Sequence, residues 1–267
     1  MNLTYFDNNK IPHIVEEYFE LSFSDSSVPF QSLILPLEFT NITHIIKGDQ
    51  KSIFRKKETQ LEDLMLSGQF FRSYQFIVNS ESKSFGISFH PTALYKILQT
   101  DISKFENKHV LLKDYNTDFY NSISTVLKSS NSSKKIVQKL SVFFGAYPLK
   151  IDKNTEHIDN AIKQIKAKEG LLNVGEIVDE LLISQKTLET QFKKIVGLTP
   201  GKYIRKYRFL KLMKKYQSQV INLKDLIYMY NYYDQSHFTK DFTLFMKETP
   251  KAYFKKEYPL IKKYLKE

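Results

Sequence analysis

Sliding the last third of this chain along itself gives a self-match near 50 residues, and that repeat limits the available folds more than any other feature. Leu172-Asn173-Val174 matches Ile221-Asn222-Leu223, Ile177-Val178 matches Leu226-Ile227, and Leu181 matches Tyr230, all at an offset of 49. Beyond that point the offset is 50. Leu188 then matches Phe238, Phe192 matches Phe242, Ile195 matches Phe245, Val196 matches Met246, Thr199-Pro200 matches Thr249-Pro250, and Tyr203 matches Tyr253. The second copy therefore holds one extra residue in its turn.

Each copy has the layout of two helices at an angle. Asn173 and Asn222 are placed to accept from an otherwise unpaired N–H of a first helical turn. A short helix, a turn and a longer helix follow. In the longer helix Leu188, Phe192, Ile195 and Val196 recur at i, i+4, i+7 and i+8, so one stripe faces a core. The opposite face carries Gln185, Lys186, Glu189, Thr190 and Lys193 in the first copy, and Gln235, Ser236, Thr239 and Lys240 in the second. Hydrogen-bonding side chains of this kind can read base edges in a major groove. A solvated face of a single helix looks much the same; two copies with matching faces favour recognition. Between them, residues 199–216 predict a connecting helix of roughly 27 Å at the standard rise. That length can set two helices into successive grooves on one side of a duplex.

Charge supports the same partner. The net charge is +11, of which residues 1–170 carry +2 and residues 171–267 carry +9. A basic surface recruits polyanions by releasing their counterions, which makes nucleic acid the leading partner. Along the connector Lys202, Arg205 and Lys206 interleave with Tyr203, Ile204 and Tyr207. These cations, with Lys193, His237 and Lys247, are the candidates for phosphate contact, which adds affinity without sequence information.

Residues 18–90 favour strands, because aromatic and β-branched residues recur in short runs at 18–23, 32–35, 39–46, 74–78 and 84–89, with polar turns at 47–50 and 79–82. After Pro91 the spacing of Ala93, Leu94, Ile97 and Leu98 becomes helical. Residues 115–147 predict two short helices separated by a polar stretch at 128–133, suited to a spacer or a dimer contact. Residues 150–154 read as a linker, and Ile158, Ile162 and Ile165 open another helix. The fold class expected is α+β. It comprises a small β-rich, half-barrel-like domain over 1–113, a helical pair over 114–150, and an all-α domain over 151–267 with two helix-turn-helix units joined by a long helix.

At this point the residues resemble the AraC family of transcription regulators. The likeness is densest over Asp234-Gln235-Ser236-His237-Phe238-Thr239-Lys240-Asp241-Phe242 and Glu248-Thr249-Pro250-Lys251-Ala252-Tyr253. The first unit, from Glu176 through Tyr203-Ile204, follows the same pattern. Val178 and Ile227 stand where the family usually has alanine, and Leu182 and Asn231 where it has glycine. Asparagine tolerates a left-handed turn; leucine does not, so an altered turn is expected in the first unit. Glu189 and Thr190 replace a frequent arginine, which argues against a strong guanine contact there. The resemblance implies double-stranded DNA as partner, RNA polymerase as a further one, a small-molecule or protein effector acting through the N-terminal part, and a homodimer.

Other function classes find little support. The chain has no cysteine, which removes disulfides, thiolate metal sites and thiol nucleophiles. The six histidines show no metal-ligand spacing, and no nucleophile elbow or phosphate loop is present, so no catalytic residue, metal or cofactor is expected. No apolar run approaches a membrane span and the first residues lack a signal-peptide pattern, which predicts a cytoplasmic protein without a membrane partner. Phe71, Tyr74, Phe76, Phe85, Phe89 and His90 are the candidates for an effector pocket, against the plainer reading of strand core. The competing reading of the whole is a protein-interaction module with degenerate helix-turn-helix units.

Overall fold

The computed structural model describes residues 1–7, 10–218 and 221–266. Among these described residues ten strands form two antiparallel sheets. Sheet 1 has the order β1 (Asn2–Phe6), β2 (Val15–Phe23), β9 (Ser82–Phe89), β4 (Thr40–Lys47), β7 (Leu64–Ser67), β10 (His109–Leu111). Sheet 2 has the order β3 (Phe30–Ile34), β8 (Tyr74–Val78), β5 (Gln50–Phe54), β6 (Lys57–Leu61). The two face each other across an interior that holds Leu21, Phe23, Leu61, Met65, Phe76 and Val78.

Both faces of sheet 1 are covered, which explains why β9 is buried from Ser84 to Phe89. Its large residues Phe85, Ile87 and Phe89 point outward, into a cluster shared with the helices, while Ser84, Gly86 and Ser88 face the interior. Gly86 is required there, since an added Cβ would lie 2.0 Å from the Phe19 ring on the neighbouring strand.

The helical layer begins with α1 (Ala93–Leu98), whose six residues are all buried. An amphipathic helix was expected from the spacing, but the C-terminal half packs over its second face. α2 (Thr117–Leu127) and α3 (Ser133–Ala146) are the expected pair. They lie on the body of the protein instead of spanning a gap: Phe119, Ile123, Ile136 and Leu140 join the cluster behind sheet 1, and Phe144 meets Phe89 edge-on at 5.6 Å. Residues 150–152 lead into α4 (Lys153–Ala167). The Lys150 N–H donates to the Lys96 carbonyl at 2.9 Å, and Asp152 caps α4 in a reciprocal box with Thr155.

The repeat folds as its periodicity requires. α5 (Val174–Leu181) and α6 (Gln185–Val196) form the first unit, and α8 (Leu223–Met229) and α9 (Gln235–Met246) the second. α7 (Pro200–Gln217) connects them, capped by Thr199 with Pro200 in its first turn. α10 (Pro250–Tyr253) and α11 (Pro259–Lys266) complete the chain. The helices α10 and α11 and the strands β1, β5, β6, β7 and β10 are not among those the sequence pattern predicts.

Candidate nucleic-acid interface and effector cavity

The two units are built alike down to their caps. Asn173 accepts from the Glu176 N–H at 3.1 Å, and Asn222 accepts from the Asp225 N–H at 3.0 Å. Ser184 and Asp234 cap α6 and α9 through the N–H groups of Thr187 and His237. The extra turn residue of the second unit falls between Asn231 and Asp234. Leu188, Phe192, Ile195 and Val196 are fully buried, as are Phe238, Phe242, Phe245 and Met246.

The expected altered turn is absent. Leu182 has φ 52° and ψ 40°, the same left-handed region as Asn231 at φ 56°. The turn is preserved because tertiary packing of α5 and α6 fixes their angle, and the leucine side chain, 90% exposed, tolerates the backbone position by touching almost nothing.

Gln185, Lys186, Glu189, Thr190 and Lys193 are exposed on α6, and Gln235, Ser236 and Lys240 on α9, with Thr239 and His237 half-buried. The Gln185 amide donates to Glu189 at 2.8 Å, so those two side chains are paired with each other in this state.

On the connector Lys206 is no phosphate contact, while Arg205 and Lys202, each with a side chain 43% exposed, are paired within the protein. Lys206 is fully buried: its ammonium donates to the carbonyls of Leu37 (2.7 Å) and Phe70 (3.1 Å) and to Gln69 Oε1 (2.5 Å). Burial pulls its pKa down to about 7, with Glu38 and Glu106 opposing. Three acceptors match the three N–H bonds of a protonated amine. Arg205 is turned inward onto Asp241, a wholly buried carboxylate that also accepts from the Tyr232 hydroxyl at 3.2 Å. Lys202 pairs with Glu106 at 2.9 Å. Spacing marked these three as cations on a basic helix; the N-terminal half and α9 supply acceptors that sequence distance conceals. Lys193 and Lys247 remain exposed. The pKa of Lys247 is lowered, chiefly by desolvation and then by Arg72 and Arg55 nearby.

Both α6 and α9 touch the N-terminal half. α6 packs against α1 and the turn at 102–105, and Ile102 lies against Gly197. On α9 the Phe245 carbonyl accepts from the Ser73 N–H at 2.7 Å, and the Phe71 and Phe245 rings meet at 5.3 Å. Asp159 on α4 accepts from Thr92 and Lys96, each at 2.6 Å, and Lys166 pairs with Glu16.

Between the sheets lies a cavity of about 160 Å³. Of the expected effector-pocket residues, Tyr74 and Phe76 line it. Phe85 and Phe89 do not, because they occupy the outer face of β9. Phe71 sits at the α9 contact, and His90 lies beside α4 with its Nδ1 3.1 Å from Thr92 Oγ1. Burial lowers the His90 pKa to about 4. The sequence reading missed Glu17, Asn41, Gln50, Ser67, Ser88 and His109, which line the cavity, and α11, which contributes Leu260, Ile261 and Tyr264 to its wall. Polar strand positions are ordinarily assigned to solvent; here the second sheet covers them.

Residues 177–256 match a family model described as a helix-turn-helix domain, and residues 8–111 match a domain of unknown function, DUF6597. The chain is 31% identical over 87 residues to a probable transcription factor of Proteus vulgaris, PqrA, a match spanning 33% of this chain and 70% of that protein. It belongs to the AraC family of transcription regulators. It is also 30% identical over 77 residues to the HTH-type transcriptional activator RhaS of Escherichia coli, which spans 29% of this chain and only 27% of RhaS. Among solved structures, ToxT from Vibrio cholerae O395 is similar at a TM-score of 0.48 and 12% identity, covering 88% of this chain and 95% of ToxT. As an AraC-family regulator, the chain has a helix-turn-helix region that binds DNA and, among its described residues, no helix long and apolar enough to cross a membrane.

Proposed function

We propose that this AraC-family chain regulates transcription by reading two successive major grooves of double-stranded DNA with α6 and α9, under the control of its N-terminal β-sandwich. The observation that carries the reading is the equivalence of the two units: the same caps, the same left-handed turn, the same buried stripe and an exposed polar face on each. An 18-residue connector between them spans roughly 27 Å, close to the repeat of a groove on one side of the duplex. Control from the sandwich is supported by its hold on both reading helices, at Ile102 and at Ser73.

The base-facing set is Gln185, Lys186, Glu189 and Thr190 on α6 and Gln235, Ser236, Thr239 and Lys240 on α9. The α9 face is the stronger reader, since Gln185 and Glu189 are already paired on α6. Lys193 and Lys247, with the half-buried His237, are left for phosphate.

Selection of bound sequences from a random duplex pool tests this. The expected result is a motif with two blocks about one helical turn apart. Gln235→Ala and Lys240→Ala each relax preference within one block by about 1–3 kcal/mol per lost base contact. Equal binding to all sequences, or a uniform loss in both variants, would overturn the double-reader geometry.

A further inference from the structure

The interior face of sheet 1 carries a row of polar residues that crosses five strands. Glu17 on β2 pairs with Ser88 on β9, Ser88 with Asn41 on β4, Asn41 with Ser67 on β7, and Ser67 with His109 on β10. All five line the cavity. Two residues further along the strands the row becomes Phe19, Gly86, Thr43 and Met65, and Leu21 and Ile45 follow. The polar row thus lies at one end of the cavity, and the lining beyond it is mostly apolar, apart from residues such as Thr43, Ser84 and Gln50.

Three polar atoms of its lining are buried and have no hydrogen-bond partner within the protein: Asn41 Oδ1, Gln50 Nε2 and His109 Nε2. Each such atom carries a desolvation cost that a ligand can remove. Two come from the polar row, where Asn41 and His109 both flank Ser67; Gln50 belongs to the facing sheet, where it pairs with Leu61 and Val78. The His109 ring is held by Ser67 Oγ at 2.7 Å from Nδ1, and burial lowers its pKa to about 4, which leaves it neutral near pH 7. Among the described lining residues there is no lysine or arginine, so an anion would enter the cavity without a counter-charge from its lining.

We propose that the β-sandwich takes an uncharged small amphiphile, which hydrogen-bonds along the Glu17 to His109 row and buries its apolar part against Phe19, Met65 and Phe76. The inference rests on the reading that the sandwich controls the DNA-binding half, and it adds the ligand class and the route. The size follows from the volume: an apolar cavity of ~150 Å³ holds a benzene ring, so 160 Å³ suits a ring with one polar substituent. The route is α11. This helix belongs to the DNA-binding half, packs along β3 and α7, and places Leu260, Ile261 and Tyr264 in the cavity wall. Tyr264 is anchored by its hydroxyl to Glu38 at 2.9 Å, three residues from Leu35, and Leu35 lies in the core of the second helix-turn-helix unit. A ligand that presses on α11 thus meets an element continuous with the α9 packing.

The test uses the full chain and four probes of one shape: benzamide, benzyl alcohol, toluene and benzoate. Ligand-observed NMR titration reads binding, which for fragments of this size falls in roughly the millimolar range. Benzamide and benzyl alcohol are expected to bind at least tenfold more tightly than benzoate. His109→Leu, and Asn41→Leu on the same polar row as a second variant should the first fail to fold, are expected to erase most of the preference for benzamide over toluene. Benzoate binding as well as benzamide, no probe binding at all, or the amide preference surviving in the folded variants would each overturn the ligand class. DNA affinity measured on the same samples separates the two levels. Probe binding that leaves DNA affinity unchanged upholds the ligand class and overturns the α11 route. Sequence-specific DNA binding with an empty probe titration overturns the ligand class and leaves the regulator reading standing.

Discussion

Leu182 offers a stability change that can be worked from the backbone. It occupies the left-handed region at φ 52° with its side chain 90% exposed. An L-residue there costs roughly 1–2 kcal/mol because Cβ crowds the following carbonyl oxygen, a cost glycine does not bear. Replacement by glycine also frees the unfolded chain, which costs about 0.4–1 kcal/mol. Full burial of a leucine stabilises by about 1.5–3 kcal/mol, so a side chain one-tenth buried forfeits roughly 0.3 kcal/mol when deleted. The backbone gain is the largest of the three. Leu182→Gly is therefore expected to stabilise the protein by about 0.5 kcal/mol, and Leu182→Asn by a few tenths. The reverse change, Asn231→Leu, is expected to destabilise by roughly 1 kcal/mol. Urea unfolding monitored by circular dichroism reads this as a higher midpoint at unchanged slope for the position 182 variants. DNA affinity should stay within about twofold, since the turn conformation is already the one glycine prefers. Destabilisation by Leu182→Gly would refute the reasoning, and would mean that the leucine makes a contact its exposure does not reveal.

Further outcomes follow from the buried polar groups. Lys206→Ala deletes a buried ammonium and strands three acceptors, at an expected cost of about 3–5 kcal/mol in urea unfolding; a loss under about 1 kcal/mol would show that those acceptors rehydrate and that Lys206 is no anchor. Arg205→Ala leaves the buried Asp241 carboxylate with the Tyr232 hydroxyl but without its cationic partner and should lower stability by about 3 kcal/mol, while the slope of log K against log salt for DNA stays the same. A shallower slope would restore Arg205 as a phosphate contact. For pH, the free imidazole of His109 protonates near 6.5 and the folded one near 4, so between these values the unfolded state binds more protons. Stability is thus full above about pH 6.5 and declines as pH falls towards 4, by about 3 kcal/mol in all, with His90 adding in the same direction. His109→Gln should flatten its share of that decline in urea midpoints taken from pH 7.5 to 4.5.

The sequence by itself determined the two repeat units and the helix that connects them. A repeat at helical spacing, asparagine caps and two matching polar faces depend on contacts within about a hundred residues, and the structure keeps each of them, including the extra residue in the second turn. Local chemistry also set the longer strands, where alternation of large and small side chains reports a buried face. Tertiary structure decided what depends on which neighbour arrives. Phe85 and Phe89 alternate as cavity residues would, yet alternation cannot say which face meets a second sheet and which meets helices, and the cavity lies on the side of Ser84 and Ser88. The polar row from Glu17 to His109 is assembled by strand register between residues as much as 92 positions apart. Lys202, Arg205 and Lys206 read as a basic helix face because their partners, Glu106, Asp241 and the carbonyls near Leu37 and Phe70, are brought to them only by the packing of the two halves. Even the turn at Leu182 was settled this way, since the energy of packing α5 on α6 exceeds the local preference of one leucine against a left-handed backbone.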